Sequence, residues 1–551
     1  MFATILRRIS IGLGLACLPA AIASAQTSLD RADPALVEEE EVRRDGEPRS
    51  QPSAPALLER PAASVTGTRE PMLIGAIRVE GARELDPAAF APVVERYAGR
   101  LLSPPELRSL ASDVANVARA AGFGLASAWI PPQRVTAGVL RVVLDEGLID
   151  GIEAEGSAAG VVRRMLAPLI GERAVRTAEL ERRLLLAGDV AGVRVGKARL
   201  DRRGGRNILR ISTRREHVLG YANLDSWGSS AVGPIRARMT VNVNGLLADD
   251  DRLTVGGVVT PIAPKEFMLA RLGYAKLIGT NGTEAKIGAY VARSRPGGAL
   301  SGRDIEGRSA EAHVALAHPF LRSRAASLWG ELEFTVRDAE QDRRGTRIRE
   351  DRLATLAAST TVTGRLGRGR GQGRLGFVQG LDVLDATEAG DPLASRSDGS
   401  GIFSKLEFWA EYDRPLGSRF SLQLQAEGQI ASRPLLSSEE MGLGGRTFLR
   451  GYDYREYSGD KGIVGSAELR FDLKPLPQPI EAVQLYVYAD AGSVGNYDGG
   501  SGGGSLASAG GGMRMWIGRM EAGLELGIPL SRGFDGTDQD PRLSFSLGAR
   551  F

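Results

Sequence analysis

From about residue 216 to the C-terminus, apolar and polar residues alternate along one segment after another. Between residues 483 and 490, odd positions are apolar and even positions are polar or charged. Between 543 and 551 the odd positions are again apolar, and the even positions carry serine, glycine or arginine. Successive side chains of a β-strand point to opposite faces, so this period of two predicts strands with one apolar and one polar face.

The number of these segments and the lengths of their connectors distinguish a membrane barrel from a soluble sandwich. Short turns, such as 279–282 and 415–417, alternate with long loops at 385–401, 432–461 and 492–507. Outer-membrane barrels have an even number of strands, short periplasmic turns, long external loops, and an apolar face that meets lipid. The sequence therefore predicts an all-β, sixteen-stranded transmembrane β-barrel. The strands are expected at about 217–227, 234–246, 251–261, 266–278, 283–295, 306–318, 325–338, 348–364, 370–384, 402–414, 418–431, 462–473, 482–491, 508–518, 520–529 and 542–551.

The first 25 residues are typical of a secretory signal. A basic pair at positions 7–8 precedes a short apolar stretch at 9–18, and residues 23–25 form an A-x-A cleavage site. Cleavage after residue 25 would remove Cys17, the single cysteine of the chain. No later run of 18 apolar residues exists, so no transmembrane helix is predicted. An exported chain of this kind is periplasmic, extracellular or an outer-membrane barrel.

The stretch between the signal and the first regular domain is rich in proline and has an acidic run at 38–41. Asp33 followed by Pro34 is a suitable start for a helix over 33–44, with acids early and arginines late. Residues 45–71 are then expected to be a linker. A disordered N-terminus is the alternative interpretation of the same residues.

Residues 72–147 and 148–214 each show the order β-α-α-β-β, which indicates a duplicated α+β domain. In the first unit, Ser103 and Glu106 form a capping box that opens a helix. The apolar face of that helix is expected at Leu107, Leu110, Val114, Val117 and Ala121.

Enzyme, metal and nucleic-acid signatures are weak in this chain. The G-x-S-x-G match at 499–503 lies in a glycine-rich loop, and the G-x-G-x-x-G match at 371–376 is followed by no helix. The three histidines predict no metal cluster, and we expect no catalytic residue and no cofactor. The 70 basic and 67 acidic residues nearly balance, so charge does not indicate nucleic-acid binding.

The longest connector between predicted barrel strands is 432–461, and a loop of this length is usually functional or disordered. Its glycines are followed by a compact segment that contains Arg450, Gly451 and Tyr452. On a neighbouring predicted strand, Asp490 has the parity of the lumen-facing residues. If the loop folds inward, Arg450 and Asp490 can pair. If it does not, both are simply solvated in a wet lumen.

Several motifs resemble the two-partner secretion transporters (TpsB) of the haemolysin and filamentous-haemagglutinin secretion type. Leu449-Arg450-Gly451-Tyr452 resembles the family's V-R-G-Y loop signature, and Tyr488-x-Asp490-x-Gly492 resembles its F-x-D-x-G strand signature. Residues 177–193 are similar to the second POTRA helix and the turn after it, and 224–228 resembles the first-strand L-D-N-x-G. Leu449, Tyr488 and Ser226 depart from the family pattern, but none of these changes removes the charged pair.

The resemblance implies α+β periplasmic POTRA domains followed by the sixteen-stranded barrel. It also implies that Arg450, Gly451, Tyr452, Asp490 and Gly492 fasten the loop to the inner wall of the barrel. The implied domains are a signal peptide at 1–25, an N-terminal helix and linker at 26–71, a first POTRA domain at 72–147, a second at 148–214, and a barrel at 215–551 with an inward-folded loop at 432–461.

The function implied by the resemblance is export of one large partner through the barrel of an outer-membrane protein whose POTRA domains lie in the periplasm. The partner would be a secreted exoprotein of the TpsA type, β-helical in form, and the other partner is outer-membrane lipid. No nucleic-acid partner is expected, and the protein is expected to be a monomer or a weak oligomer. Candidate exoprotein contacts on the POTRA domains are Ala126, Trp129, Ile130, Leu180 and Leu184. The alternative is a BamA-like insertase, although such insertases typically carry more POTRA units.

Overall fold

A computed structural model describes residues 33–34, 58–59, 64–65, 70–135, 138–497, 503–533 and 540–551. The expected signal peptide and most of the expected helix at 33–44 lie outside these residues. So does most of the glycine-rich segment at 499–503. No helix within the described ranges is long and apolar enough to span a membrane.

Sixteen antiparallel strands in the described part of the chain close into a barrel, which confirms the predicted fold class and strand number. The barrel strands are β11 (Val218–Asp225), β12 (Arg236–Asn244), β13 (Asp251–Val259), β14 (Phe267–Ile278), β15 (Thr283–Ser294), β16 (Ile305–Arg322), β17 (Ala326–Arg343), β18 (Thr346–Leu366), β19 (Gly369–Gly380), β20 (Ser404–Pro415), β21 (Phe420–Ala431), β24 (Lys461–Leu473), β25 (Ala482–Gly495), β26 (Gly504–Ile517), β27 (Met520–Pro529) and β28 (Arg542–Arg550). Two short strands, β22 (Met441–Leu443) and β23 (Tyr457–Gly459), form a separate hairpin between β21 and β24.

The faces of the strands follow the predicted parity. On β25, Tyr486, Tyr488 and Asp490 are buried inside the barrel, whereas Val487 between them is 59% exposed on the outside. The long hairpin β17–β18 is a correction to the expected boundaries, since β17 continues to residue 343 instead of ending near 338. The end of this hairpin, between residues 338 and 352, carries many charged residues that form cross-strand ion pairs. Such pairs suit a position outside the membrane, beyond the apolar band that meets lipid.

The first periplasmic unit packs two helices on a sheet. Its helices are α1 (Ala91–Tyr97), preceded by a 3₁₀ turn (Pro87–Phe90), and α2 (Pro104–Ala120). Its strands are β3 (Met72–Ile74), β4 (Ala76–Glu80), β5 (Arg100–Leu102), β6 (Ser127–Ile130) and β7 (Val139–Asp145). The strands β3 and β4 are separated at Gly75, whose N–H donates to the carbonyl of Gly138 (2.8 Å).

The capping box of α2 forms as expected, but part of its predicted apolar face is wrong. Ala121 is exposed because it caps the helix instead of extending it, and Val117 is only half-buried. Small side chains at Ala111, Ala115 and Ala118 are buried in their place. The predicted stripe followed a spacing of three and four residues and missed these alanines, whose small side chains let the helix approach the sheet closely.

The second unit repeats the arrangement with α3 (Ala159–Leu166), α4 (Thr177–Gly188), and the strands β8 (Gly151–Gly156), β9 (Val193–Arg203) and β10 (Arg206–Arg215). A 3₁₀ turn at Ala167–Leu169 follows α3, and further 3₁₀ turns occur at Gly298–Arg303 and Ser437–Glu439. The strand β10 leads directly into β11, so the start of β11 marks the end of the barrel that faces the periplasmic units.

Two short strands from the linker extend the two periplasmic sheets. The strand β1 (Leu58–Glu59) pairs in parallel with β9, and β2 (Ser64–Val65) pairs in parallel with β6. The resulting sheet orders are β1-β9-β10-β8 and β2-β6-β7-β4. The linker therefore covers two residues on an otherwise open edge of each sheet, which periodicity did not predict.

The second periplasmic unit is fastened to the barrel through α4. Arg322, at the end of β16, donates two hydrogen bonds to the Asp189 carboxylate at the end of α4 (2.7 and 2.6 Å). The side chain of Glu181 accepts a hydrogen bond from the backbone N–H of Arg324, and Arg183 donates to the carbonyl of Thr280. These contacts hold α4 against the short turns of the barrel.

Candidate functional site

The connector between β21 and β24 folds into the lumen and forms a small apolar core against the barrel wall. Its residues Met441, Leu443, Phe448, Leu449 and Tyr452 are buried. The wall side of this core is formed by Val464, Val494 and Leu506. These three wall residues have lumen parity on β24, β25 and β26, so the loop lies inside the barrel.

Arg450 at the tip of this loop meets three carboxylates of the wall. Its Nε and Nη2 donate to the two oxygens of Asp490 (3.2 and 3.1 Å), and its backbone N–H donates to the same carboxylate (3.2 Å). Its Nη1 lies 2.8 Å from Glu468 Oε2 and 3.4 Å from Glu525 Oε2. Its guanidinium carbon is 3.3 Å from the centroid of the Tyr488 ring. We call Arg450, Asp490, Glu468, Glu525 and Tyr488 the tip cluster.

The tip cluster is almost closed to solvent, since Arg450 is 6% exposed and Asp490 and Glu468 are each 3% exposed. A second cation shares the negative charge, because Arg514 donates to both oxygens of Glu468 (2.7 and 3.1 Å). A carboxylate buried without a partner is costly, and so is a lone buried guanidinium. Loop and wall therefore compensate each other only when the loop is docked.

Tyr452 holds the loop at a second point beside the tip cluster. Its hydroxyl lies 2.8 Å from the carbonyl oxygen of Ala507 and 2.6 Å from that of Ser531. It also accepts a hydrogen bond from the Ser531 backbone N–H (2.9 Å). The ring is 4% exposed, so these polar contacts are sheltered from water.

The two glycines of the predicted site are positions of close approach. A Cβ on Gly451 would lie 2.9 Å from backbone atoms of Ile528 and Pro529, so a side chain would push the tip away from β27. A Cβ on Gly492 would lie 2.8 Å from the Val464 side chain. Leu449, just before Arg450, has a φ of 56°, a left-handed conformation that is unfavourable for a bulky residue. Docking of the loop therefore imposes backbone strain at its tip.

The structure thus brings Arg450, Gly451, Tyr452, Asp490 and Gly492 together at one place on the inner wall. Sequence reasoning missed Glu468, Glu525 and Arg514 as members of the same site. Their lumen parity was visible in the sequence. Parity does not say which of many lumen carboxylates lies at the height of the loop tip, because that depends on the stagger between strands.

The predicted exoprotein contacts on the periplasmic units occupy different environments. Ala126 and Ile130 belong to the core of the first unit, and Leu180 and Leu184 belong to the core of the second. Trp129 is half-buried, and the Arg202 guanidinium lies 3.8 Å from its ring centroid. Four of the five side chains are therefore packed in the cores of the two units, and Trp129 is the one that is partly exposed.

Comparison with known families agrees with this architecture. A family model described as haemolysin secretion/activation protein ShlB/FhaC/HecB matches residues 205–515. A second model, described as a POTRA domain of the ShlB type, matches residues 72–147.

Individual relatives and solved structures are similar over most of the chain. The heme/hemopexin transporter protein HuxB of Haemophilus influenzae is 21% identical over 482 residues, which is 83% of this chain and 83% of the relative. CdiB from Escherichia coli has a TM-score of 0.68 at 20% identity and covers 98% of this chain and 100% of its own. BamA from Haemophilus ducreyi lacking POTRA domains 1–3 has a TM-score of 0.55 at 12% identity over 87% of this chain and 100% of its own.

These solved structures show a common fold, and the family model, which matches more than half of the chain, decides the family. The chain belongs to the ShlB/FhaC/HecB family of haemolysin secretion/activation proteins, the POTRA-bearing outer-membrane β-barrel transporters of two-partner secretion.

Proposed function

We propose that this protein captures an unfolded exoprotein with its POTRA domains and exports it through the barrel lumen. The observation that carries the proposal is the docked loop, which occupies the lumen and whose tip is held there by a small cluster of charges. Such a fastening stabilises a closed state and can be released without unfolding the barrel. A passive pore has no need of a removable internal loop.

Capture would use the edge strands β6 and β9 of the two periplasmic sheets. An extended segment that adds to a sheet edge gains backbone hydrogen bonds with little demand on its side chains. The edges of β6 and β9 already carry the short linker strands β2 and β1, so both edges accept a parallel strand. The exoprotein segment would take the place of these linker strands.

Passage would use the polar inner wall, because an extended chain cannot leave its amides unpaired in lipid. The loop at 432–460 would have to leave the lumen first, and so would the N-terminal segment. In support of the second point, Asp33 and Pro34 are buried, and the Pro34 ring lies where a Cβ on Gly307 would meet it at 2.6 Å. Gly307 is near the outer end of β16, and its contact with Pro34 supports this part of the proposal.

The energy for export would come from folding of the exoprotein outside the cell, since the chain has no phosphate-binding loop motif. We expect exoprotein already in the periplasm to reach the surface after the inner-membrane proton gradient is collapsed. Export that stops on this treatment, while the exoprotein still folds normally outside, would contradict this source of energy. Further parts of the proposal are an elongated β-helical exoprotein, contact with outer-membrane lipid, and a monomeric or weakly oligomeric transporter.

A BamA-like insertase is the second candidate, and the BamA fold similarity favours considering it. Deletion of the gene in the native host separates the two. An exporter predicts the loss of one or a few large proteins from the surface or medium while other barrels persist. A general decline of unrelated barrels would contradict export and support insertion. Complementation with Arg450→Ala at normal barrel abundance tests whether the docked loop takes part.

A further inference from the structure

Another buried arginine, Arg396, lies outside the family signatures, in the external connector 381–403 between β19 and β20. Arg396 is 4% exposed, and its Nη1 donates to Glu440 Oε1 and to Asp460 Oδ1, both at 2.8 Å. Its Nε and Nη2 donate to the two oxygens of Asp398 (2.7 and 3.0 Å). We call Arg396, Asp398, Glu440 and Asp460 the stem cluster.

Two carboxylates of the stem cluster, those of Glu440 and Asp460, are far from Arg396 in the sequence and lie at the base of the inward loop. Glu440 immediately precedes β22, and Asp460 immediately follows β23, so they sit on the two chains of one hairpin stem. Asp460 is completely buried and also accepts hydrogen bonds from the backbone N–H groups of Leu435 and Tyr497, each at 2.8 Å. Arg396 therefore binds both sides of the β22–β23 hairpin at its base, where the inward loop enters the lumen.

Other contacts make connector 381–403 a strap between the barrel wall and this loop. The backbone N–H of Ser395 donates to Asp351 on β18 (2.9 Å), and Ser395 Oγ accepts from the N–H of Ser437 (3.0 Å). The N–H of Ser400 donates to the carbonyl of Pro434 (3.2 Å). The strap is thus anchored on β18 at one side and on the inward loop at the other.

The stem cluster and the tip cluster have no charged residue in common. Arg450 fastens the tip to β24, β25 and β27, whereas Arg396 fastens the stem to the strap. Loss of the Arg450 contacts would weaken the attachment of the tip but leave the hairpin held at its base. Burial disfavours a charged guanidinium, yet the hydrogen bonds and charges of the three carboxylates raise the pKa of Arg396 above its usual value. The cluster is therefore a charged, compensated contact that opens only as a unit.

We propose that Arg396 is the positioning residue of an external latch, which closes the strap over the stem of the inward loop and must open for the exoprotein to leave the barrel. This inference rests on the proposed export function and adds a second release step to it. Arg396 acts through the loop and need not touch the exoprotein.

An engineered disulfide between the strap and the loop tests the need for opening. Ser395 and Ser437 are already in hydrogen-bond contact, and the native chain has only Cys17, in the expected signal peptide, to compete. The variant Ser395→Cys/Ser437→Cys is expressed with the native exoprotein, and export is followed before and after a reductant is added. The oxidised form should export at least about tenfold less than the reduced form, as for a competent state made rare. Each single-cysteine variant should export normally under both conditions.

Conductance of the purified full-length protein in planar bilayers provides a measurement that needs no exoprotein. Arg396→Ala should open the pore more often than wild type, because buried Asp460 and Glu440 lose the guanidinium that joins them to the strap and only Glu440 keeps a second arginine, Arg455, nearby. Arg396→Lys should restore part of the closure. Arg433→Ala is the control, since Arg433 is an exposed arginine of the inward loop that the strap contacts. Resistance to unfolding in SDS at room temperature would show that the barrel itself is intact.

The two measurements separate failure of the latch from failure of the proposed function. An oxidised double-cysteine variant that exports like wild type would overturn the latch, as would an Arg396→Ala pore with wild-type conductance. A host that exports equally well with and without the gene would overturn the export function instead. The conductance of Arg396→Ala would still decide whether the stem cluster closes the pore.

Discussion

At the residue scale, the tip cluster depends on properties that only arginine has. The planar guanidinium offers donors to Asp490 along one edge and to Glu468 from another nitrogen, while its face lies on the Tyr488 ring. A lysine ammonium could meet one carboxylate but could not present this fork or stack in the same way. The cluster is therefore specific for the side chain at position 450 and tolerant of the loss of a single carboxylate.

Because one arginine serves several carboxylates, we predict a rank order for how strongly substitutions destabilise the docked loop. Arg450→Ala should destabilise the docked loop by about 3–5 kcal/mol, because it strands buried carboxylates. Asp490→Asn should destabilise it by only about 1–3 kcal/mol, since Glu468 and Glu525 remain and the amide oxygen still accepts. Arg450→Lys should fall between them. The measurement is the rate of protease cleavage within 432–460 in outer-membrane preparations, followed by export.

The matched control is Arg433→Ala, which removes an exposed arginine from the same loop and should leave cleavage unchanged. Equal cleavage of Asp490→Asn and Arg450→Ala would show that Asp490 alone holds the tip. Wild-type cleavage of Arg450→Ala would show that the apolar core and Tyr452 suffice.

The pair Arg450–Asp490 was within reach of sequence reasoning, because strand parity and a short signature both indicated it. Glu468 and Glu525 were not, because the lumen holds many carboxylates of the same parity. Arg396 was also missed. It lies in a loop without periodicity, and its partners Glu440 and Asp460 are more than 40 residues away in the chain.

At the scale of elements, local signals predicted helix starts and strand faces well, and weak pairings poorly. The capping box of Ser103 and Glu106 could be predicted because its two residues are only three positions apart in the sequence. The strands β1, β2 and β5 have two or three residues each and no detectable alternation. They exist because a distant strand offers an edge, which is information that a window of sequence does not contain.

The capping box gives a pH-dependent prediction for α2. Hydrogen bonds from the Ser103 hydroxyl and N–H lower the pKa of Glu106. A lowered folded-state pKa means that the stabilisation is present above the unfolded-state pKa of about 4.3 and is lost as pH falls through the folded-state pKa. In the full-length protein, amides of the first turn of α2 should exchange hydrogen faster in Glu106→Ala than in wild type at pH 7. The difference should shrink under acidic conditions, and a difference independent of pH would refute the assignment.

The linker strand β2 provides a second prediction at this scale. Val65→Pro removes the backbone N–H of Val65 and should disrupt the parallel pairing with Ile130 on β6. If the exoprotein competes with β2 for the edge of β6, removing β2 from this edge should tighten binding of an exoprotein N-terminal fragment several-fold. The reason is that β2 then covers the edge in fewer transporter molecules. Affinity is measured with full-length transporter in detergent. Val65→Ala keeps the N–H and serves as control, and unchanged affinity of Val65→Pro would remove β6 as the capture edge.

At the scale of the whole molecule, the sequence predicted the barrel but not how its parts are fastened together. Alternation and connector length were enough for the strand number and closure. The contact of Arg322 with Asp189 joins residues 133 positions apart, and no periodic pattern encodes it. Such long-range fastenings decide whether the molecule opens at its loop, at its periplasmic units or at its barrel seam.

The seam between β11 and β28, where the barrel closes, would behave differently in an exporter and in an insertase. Backbone hydrogen bonds join the two strands of this seam from Gly220 and Phe551 at one end to Ser226 and Phe545 at the other, seven residues on each strand. An insertase would open this seam sideways into the membrane. An exporter that uses the lumen can keep the seam closed throughout.

A disulfide across this seam tests which opening the protein uses. Ala222 and Ala549 are directly opposite each other and lose no polar contact when replaced by cysteine. Hydrogen-bonded antiparallel pairs have Cα atoms about 5.5 Å apart, a separation that a disulfide spans without strain. The oxidised variant Ala222→Cys/Ala549→Cys should export the exoprotein at the wild-type rate, with single-cysteine variants as controls. Export that stops when the seam is oxidised and returns on reduction would mean that the exoprotein leaves through the wall, and the lumen path proposed here would be wrong.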